Sequence, residues 1–173
     1  WDTVAFSFGA LVATLLAQQH PGLVRRLILV APGGLGIRAA RIRLRSPRGI
    51  DDPREIEEAH RINLGRLMLH RPESITQAAV QLQTANVRRD RMRGRRLAMT
   101  DIVARTLLQL RCPVDVMVGS DDQLYREVPA EFDQVFKAVP GIGEIVRIAD
   151  AGHWVQYEEA QRFNGELVRL LGK

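Results

Sequence analysis

Cysteine is nearly absent. Cys112 stands alone in 173 residues, which excludes an internal disulfide and any cysteine-built metal cluster, and fits a reducing, cytoplasmic setting. No apolar run approaches the roughly 18 residues that a membrane-crossing helix needs, and no basic-then-apolar leader opens the chain, so no membrane partner is expected. Lysine occurs only at Lys137 and Lys173, so arginine carries nearly all the positive charge behind a formal net charge of +5. The arginines form two runs: Arg38, Arg41, Arg43, Arg45 and Arg48, then Arg88, Arg89, Arg91, Arg93, Arg95 and Arg96. A nucleic-acid surface would interleave stacking aromatics with such charge. Aromatics make up only 5% of the chain and neither run holds one, so the runs are expected to be solvated faces and no nucleic acid is expected as a partner. There is no metal-ligand spacing, phosphate-binding loop, internal repeat or low-complexity linker. No metal and no cofactor is therefore implied.

What is present is an ordinary globular balance, 46% hydrophobic and 26% charged, enough for one domain. Val4-Ala5-Phe6 suits a short buried strand. A helical stretch with small residues at Gly9, Ala10, Ala13 and Ala17 along one face runs to about Gln19 and stops at His20-Pro21-Gly22. Leu27 to Ala31 is a second buried strand, ended by Pro32-Gly33-Gly34. Strand, helix, strand predicts a parallel pair joined by a right-handed crossover.

From Gly36 to about Thr100 no strand signal stands out. Asp52-Pro53-Arg54-Glu55 is a helix start with a capping side chain, Pro at the first helical position and an acid soon after. Ile56, Ala59, Ile62, Leu64, Leu67 and Met68 follow at near-helical spacing, and Pro72 begins another helix with Ile75, Ala79, Leu82 and Ala85 on one face. Alternation then resumes, with a helix over Ile102–Leu110 and a strand over Val114–Val118. A helix over Glu131–Val139, a strand over Ile145–Ile148 and a terminal amphipathic helix over Tyr157–Leu171 complete the chain. The fold class is α/β: a mainly parallel sheet with flanking helices. Its core lies at 1–35 and 101–173, and a helical cap is inserted at 36–100.

Three polar residues each lie just past a strand: Ser7, Asp122 and His153. In an open parallel sheet the loops after the strand carboxyl ends share one edge, where ligands bind. A serine hydroxyl is a weak nucleophile until a base takes its proton. A sharp strand-to-helix turn exposes that hydroxyl and wants small neighbours, here Ala5 and Gly9. It also aims the Phe8 amide at a developing oxyanion, at a helix N-terminus that favours negative charge. His153 would be the base and Asp122 its orienting acid. Asp121 competes with Asp122 for that role, and Asp150 reads as a turn residue. His20, His60 and His70 read as surface residues. Trp154 either walls a substrate pocket or packs behind the histidine loop, and Cys112 reads as a buried small hydrophobe.

The order Ser7, Asp122, His153, with Ala5-Phe6-Ser7-Phe8-Gly9 in place of G-x-S-x-G, resembles the α/β-hydrolase family. The resemblance covers the elbow, cap, acid loop, histidine loop and last helix. It corresponds to about the C-terminal two-thirds of such an enzyme, so the chain, which begins at Trp1, is expected to be part of a longer protein. It implies a serine-dependent hydrolase of a small, fairly apolar substrate, working without a cofactor, and a homo-oligomer is compatible with it. A serine at the elbow sets it apart from the epoxide hydrolases and dehalogenases of this fold, which use aspartate. Pro32-Gly33-Gly34-Leu35-Gly36, Gly152-His153-Trp154 and Phe163-Asn164 look like the carbon–carbon bond hydrolases that act on ring-cleavage products. Those enzymes usually hold a substrate carboxylate with a cap arginine; Thr76 to Val87 holds no arginine, and the resemblance makes Gln83 the nearest polar candidate for the pocket. The wider expectation is an ester or carbon–carbon hydrolase. An inactive or binding-only relative and an acyltransferase on the same triad are its rivals.

Overall fold

A computed structural model of the chain describes residues 1–37, 42–92 and 95–173, the side chain of Arg95 excepted. Arg38, Arg41 and Arg93 of the two arginine runs lie outside the described residues.

Four strands form one sheet in the order β1 (Asp2–Phe6), β2 (Arg26–Val30), β3 (Val114–Gly119), β4 (Ile142–Ile148). Every neighbouring pair is parallel. Sequential order with right-handed crossovers sends successive connecting helices to the same face. Helices α1 (Phe8–Gln19), α4 (Ile102–Leu107) and α5 (Pro129–Lys137) accordingly pack there, where Ala10, Ala13, Ala17, Leu107, Phe132 and Phe136 meet Leu27, Leu29, Val114 and Val116. The alternate residues of the same strands, Ile28, Val30 and Met117, meet Val155, Phe163 and Leu170 on the other face. Those last residues belong to α6 (Val155–Glu158) and α7 (Ala160–Leu171). β2 and β3 are covered on both faces and buried throughout, which is why Leu27–Val30 and Val114–Val118 are apolar on both faces rather than alternating, with the exception of Asp115, whose carboxylate accepts from the Glu144 amide at 2.9 Å.

Between β2 and β3 the described residues are helical or irregular. Asp52 accepts from the Arg54 amide at 2.8 Å and starts α2 (Pro53–Asn63), as its capping signal predicts. α2 runs on into a π-helical turn over Leu64–Met68. The helix expected from Pro72 is instead a 3₁₀ turn, Pro72–Ser74, followed by α3 (Gln77–Arg89). Two groups break it. The Thr76 hydroxyl caps the Ala79 amide at 3.1 Å, and Arg61 takes the Ile75 carbonyl at 3.0 Å. Leu64, Leu69, Ala79 and Val80 give this segment a small core of its own.

The terminal helix differs likewise. It begins at Val155 and is interrupted at Glu159 (φ −122°, ψ 49°) because the preceding Glu158 carbonyl accepts from the Arg71 guanidinium instead of serving a helical turn. The helix expected to reach Leu110 ends at Leu107. The loop after β2 is tied down by Gly34, whose amide donates to the Ala98 carbonyl at 2.9 Å and whose carbonyl accepts from Val103 at 2.8 Å. Gly34 sits at φ +79°, and a Cβ there would come within 2.8 Å of Val103, so conformation and space both call for glycine.

Two measurements test this packing. Phe136 is fully buried between α5 and the sheet. Phe136→Ala should lower unfolding free energy by about 3–5 kcal/mol in urea melts; a loss under about 1 kcal/mol would mean the face is not packed as described. At the exposed end of α7, Arg169 and then Lys173 hold the Glu144 carboxyl at about 2. A carboxyl depressed in the folded state stabilises above its unfolded value and loses that effect as pH falls through its folded value. Wild type should therefore lose stability between about pH 4.5 and 2 more steeply than Glu144→Gln, and added salt should narrow the difference.

Candidate active site

Ser7 stands between β1 and α1 at φ 51°, ψ −116°, a region that L-residues other than glycine rarely occupy. The surroundings hold it there. Its amide donates to the Val30 carbonyl at 2.8 Å, extending the parallel ladder past β1, and its carbonyl accepts from Ala10 at 3.1 Å and Gly33 at 3.4 Å. Ala5 is buried behind it, as the small-neighbour argument requires. Gly9 is different: a Cβ at that position would meet nothing within 4 Å, so crowding among the described residues does not account for the second glycine of the motif. Phe8 opens α1, and its N–H is among the first-turn amides that a helix leaves without an internal acceptor.

Asp122 lies past β3 and is fully buried. One carboxylate oxygen accepts from the Leu124 amide at 2.9 Å, and the other lies 2.8 Å from His153 Nδ1. Asp121 faces away, 3.9 Å from His70 Nε2. Tyr125 sits beside Asp122 and donates its hydroxyl to the Pro32 carbonyl. Burial, and after it the Asp122 charge, pushes the Tyr125 phenol far above its ordinary range, so Tyr125 is a permanent donor here. His153 is 3% exposed and follows β4. Its Nε2 lies 2.9 Å from Ser7 Oγ, and the Phe6 ring stands 5.1 Å from the imidazole. The three residues read from the sequence as a group are thus brought into one hydrogen-bonded line.

The histidine loop presses directly onto the end of β3. A Cβ at Gly119 would collide with the carbonyls of Ala151 and Gly152, so glycine at that strand end is what lets the imidazole reach both partners. Asp150, read as a turn residue, takes the left-handed conformation at φ 61°.

Sequence reasoning missed the anchor on the other side of this loop. Glu158 is 7% exposed. Its carboxylate accepts from the Gly152 amide at 2.6 Å, from His70 N at 2.9 Å and from Arg71 N at 2.9 Å. The Trp154 amide donates to the Met68 carbonyl at 2.8 Å. Arg71 binds Glu159 at 2.7 Å and Asp150 at 3.4 Å. Burial opposes the Arg71 charge, but Glu159, Asp150 and Glu158 outweigh it and hold the guanidinium above its usual range. Nothing in a one-dimensional pattern distinguishes Glu158 from a solvated acid on an amphipathic helix.

The remaining candidates fall elsewhere. The Trp154 ring packs on the small core of the inserted helices and stands 6.1 Å from Tyr157. Gln83 lies half-buried on α3. His60, expected at the surface, is 3% exposed, and burial lowers its imidazole below the ordinary range; it occupies the buried side of α2, whose apolar positions the periodicity located without ranking the histidine among them. His20 is exposed, and His70 lies 3.6 Å from Asp150. Cys112 is half-buried, with its thiol pushed up by burial. Arg88, Arg89 and Arg91 are exposed, and with Glu57, Gln81, Thr84 and Ala85 they line an open depression of about 810 Å³ that contains none of the three central residues. No helix among the described residues is long and apolar enough to cross a membrane, and no metal-binding cluster occurs among them.

The fold has a counterpart among known proteins: the chain belongs to the alpha/beta hydrolase family, whose model matches residues 2–166. Solved structures with the same fold include the meta-cleavage product hydrolase of Pseudomonas fluorescens (17% identity, TM-score 0.74, covering 99% of this chain and 64% of that one). The 2-hydroxy-6-oxo-6-phenylhexa-2,4-dienoate hydrolase of a Rhodococcus species is similar at 19% identity and TM-score 0.69, covering 99% of this chain and 64% of that one. An esterase from another Rhodococcus strain matches at 20% identity and TM-score 0.64, covering 98% and 64%. The chain therefore spans a little under two-thirds of the length of these structures.

The strained Ser7 backbone yields a prediction independent of chemistry. Ser7→Gly should raise the unfolding free energy by about 1 kcal/mol, the relief of a sparsely populated conformation less the extra entropy of glycine in the unfolded chain. A fall in the urea midpoint would show that the turn is unstrained.

Proposed function

We propose that the intact protein is a serine-dependent hydrolase of a small, fairly apolar substrate, an ester or a carbon–carbon bond next to a carbonyl. The observation that carries this reading is the continuous line from Ser7 Oγ to His153 Nε2 at 2.9 Å and from His153 Nδ1 to Asp122 Oδ2 at 2.8 Å. The solved structures of the same fold include a meta-cleavage product hydrolase and an esterase, and both chemistries begin with a carbonyl that a nucleophile must attack.

In this mechanism Ser7 Oγ adds to the carbonyl carbon while His153 Nε2 takes the hydroxyl proton. The carbonyl oxygen becomes an oxyanion, stabilised by the Phe8 N–H and the positive end of α1. Collapse expels the leaving group, which receives the proton from His153. Water then repeats the sequence on the acyl-serine: His153 takes its proton, the acid leaves, and the Ser7 hydroxyl is restored. Asp122 keeps the imidazole in the tautomer with the proton on Nδ1 and stabilises the imidazolium. The residues at 36–100 act as a cap over this edge of the sheet. The reading extends to a cytoplasmic location.

A fluorophosphonate probe should label the intact protein and leave Ser7→Ala unlabelled. Labelling of both, or of neither, would remove Ser7 as nucleophile. Asp122→Asn should slow labelling by on the order of 10³–10⁴-fold, because the amide favours the wrong imidazole tautomer.

A further inference from the structure

Glu158 is a buried carboxylate outside the Ser7–His153–Asp122 line that gathers three backbone amides, and the chemistry proposed above gives it no task. It is buried, and both of its oxygens are occupied. Oε2 accepts from the Gly152 amide at 2.6 Å and lies 3.0 Å from His70 N; Oε1 accepts from His70 N and Arg71 N, each at 2.9 Å. Three backbone donors from two segments far apart in the chain, Gly152 on one side and His70 and Arg71 on the other, thus converge on one side chain. Gly152 immediately precedes His153, while His70 and Arg71 close the first half of the inserted helical segment.

Space around this junction is tight. A Cβ at Gly152 would lie 2.9 Å from His70 N and 3.1 Å from Glu158 Oε2, so the histidine loop and the segment end are in contact with no room for a shift. The charged groups around Glu158 are Arg71, Glu159 and Asp150, with His70 and Asp121 beyond. The Arg71 guanidinium also binds the Glu158 carbonyl, so the same cation neutralises the cluster and fixes the backbone that presents the carboxylate.

We infer that Glu158 is a positioning residue. By binding the Gly152 amide together with those of His70 and Arg71, its carboxylate fixes the His153 imidazole against Ser7 and makes that placement depend on how the inserted helices are seated. The proposal rests on the reading of His153 as the base. A carboxylate suits the task because it accepts on both oxygens and donates on neither, whereas an amide would turn one acceptor into a donor facing backbone N–H groups. Hydrogen bonds to a charged acceptor are also the stronger kind. Small displacements of a base cost a large factor in rate, about 10²-fold per ångström.

The test compares wild type, Glu158→Gln, Glu158→Asp and the exposed-site control Glu73→Gln in the intact protein. Three readouts are used: the rate of fluorophosphonate labelling, steady-state hydrolysis of p-nitrophenyl acetate, and the low-field proton resonance of the His153 Nδ1–H bonded to Asp122. Glu158→Gln should slow labelling by on the order of 10- to 100-fold, lower kcat with KM little changed, and shift or broaden the resonance. The Glu73→Gln control should match wild type throughout. Should Glu158→Gln fail to fold, Glu158→Asp keeps the charge but withdraws it by one methylene, and the same changes are expected of it. An unmoved resonance with labelling within twofold of wild type overturns the proposal, as does a defect confined to KM. If wild type itself resists the probe, the Ser7 reading falls, and the resonance alone decides the role of Glu158.

Discussion

A carboxylate and an imidazole lie 2.8 Å apart, both buried from solvent. Neither could be buried there alone without a penalty of several kcal/mol. Much of the surrounding structure can be understood as what keeps them matched. The second Asp122 oxygen is satisfied by the Leu124 amide. Tyr125, held neutral beside it, closes the gap to the loop after β2 by donating to Pro32. Gly119 leaves the space through which the histidine loop descends onto the end of β3.

The serine turn shows the complementary strategy, in which strain replaces satisfaction. Ser7 is held at a positive φ by the β2 ladder on one side and the first turn of α1 on the other. β2 and α1 both contribute to the larger apolar core, whose packing enforces a local cost of about 1–3 kcal/mol. Because that core is stiff, the hydroxyl stands at the sheet edge in one orientation, and the imidazole arriving from β4 meets it at 2.9 Å.

The histidine loop is therefore held from two directions by different physics. Toward the core it is set by steric fit against β3. Toward the inserted helices it is set by backbone amides gathered on Glu158, with Arg71 bridging Asp150 and Glu159 around them. The inserted segment has its own small apolar cluster, which the Trp154 ring from the histidine loop joins. Trp154 thus contributes to holding the two parts together.

Much of this was legible in one dimension, because its causes are local or periodic. The apolar run at Leu27–Val30, and the one at Val114–Val118 that only Asp115 interrupts, need burial on both faces. Asp52-Pro53 carries its capping chemistry in its own side chains. A parallel crossover brings Ser7, Asp122 and His153 to one edge wherever such strands alternate with helices. What tertiary structure alone decided depends on partners distant in the chain. The helix expected from Pro72 breaks because Arg61 takes the Ile75 carbonyl, and the last helix breaks because Arg71 takes that of Glu158. His60 became a buried residue, and Gly9 turned out to have open space beside it. Glu158 became an anchor because two amides arrive from 88 and 87 residues upstream. Spacing along a chain encodes which face a residue occupies; the long-range contacts that decide which polar group it meets there exist only after the sheet has brought those segments together.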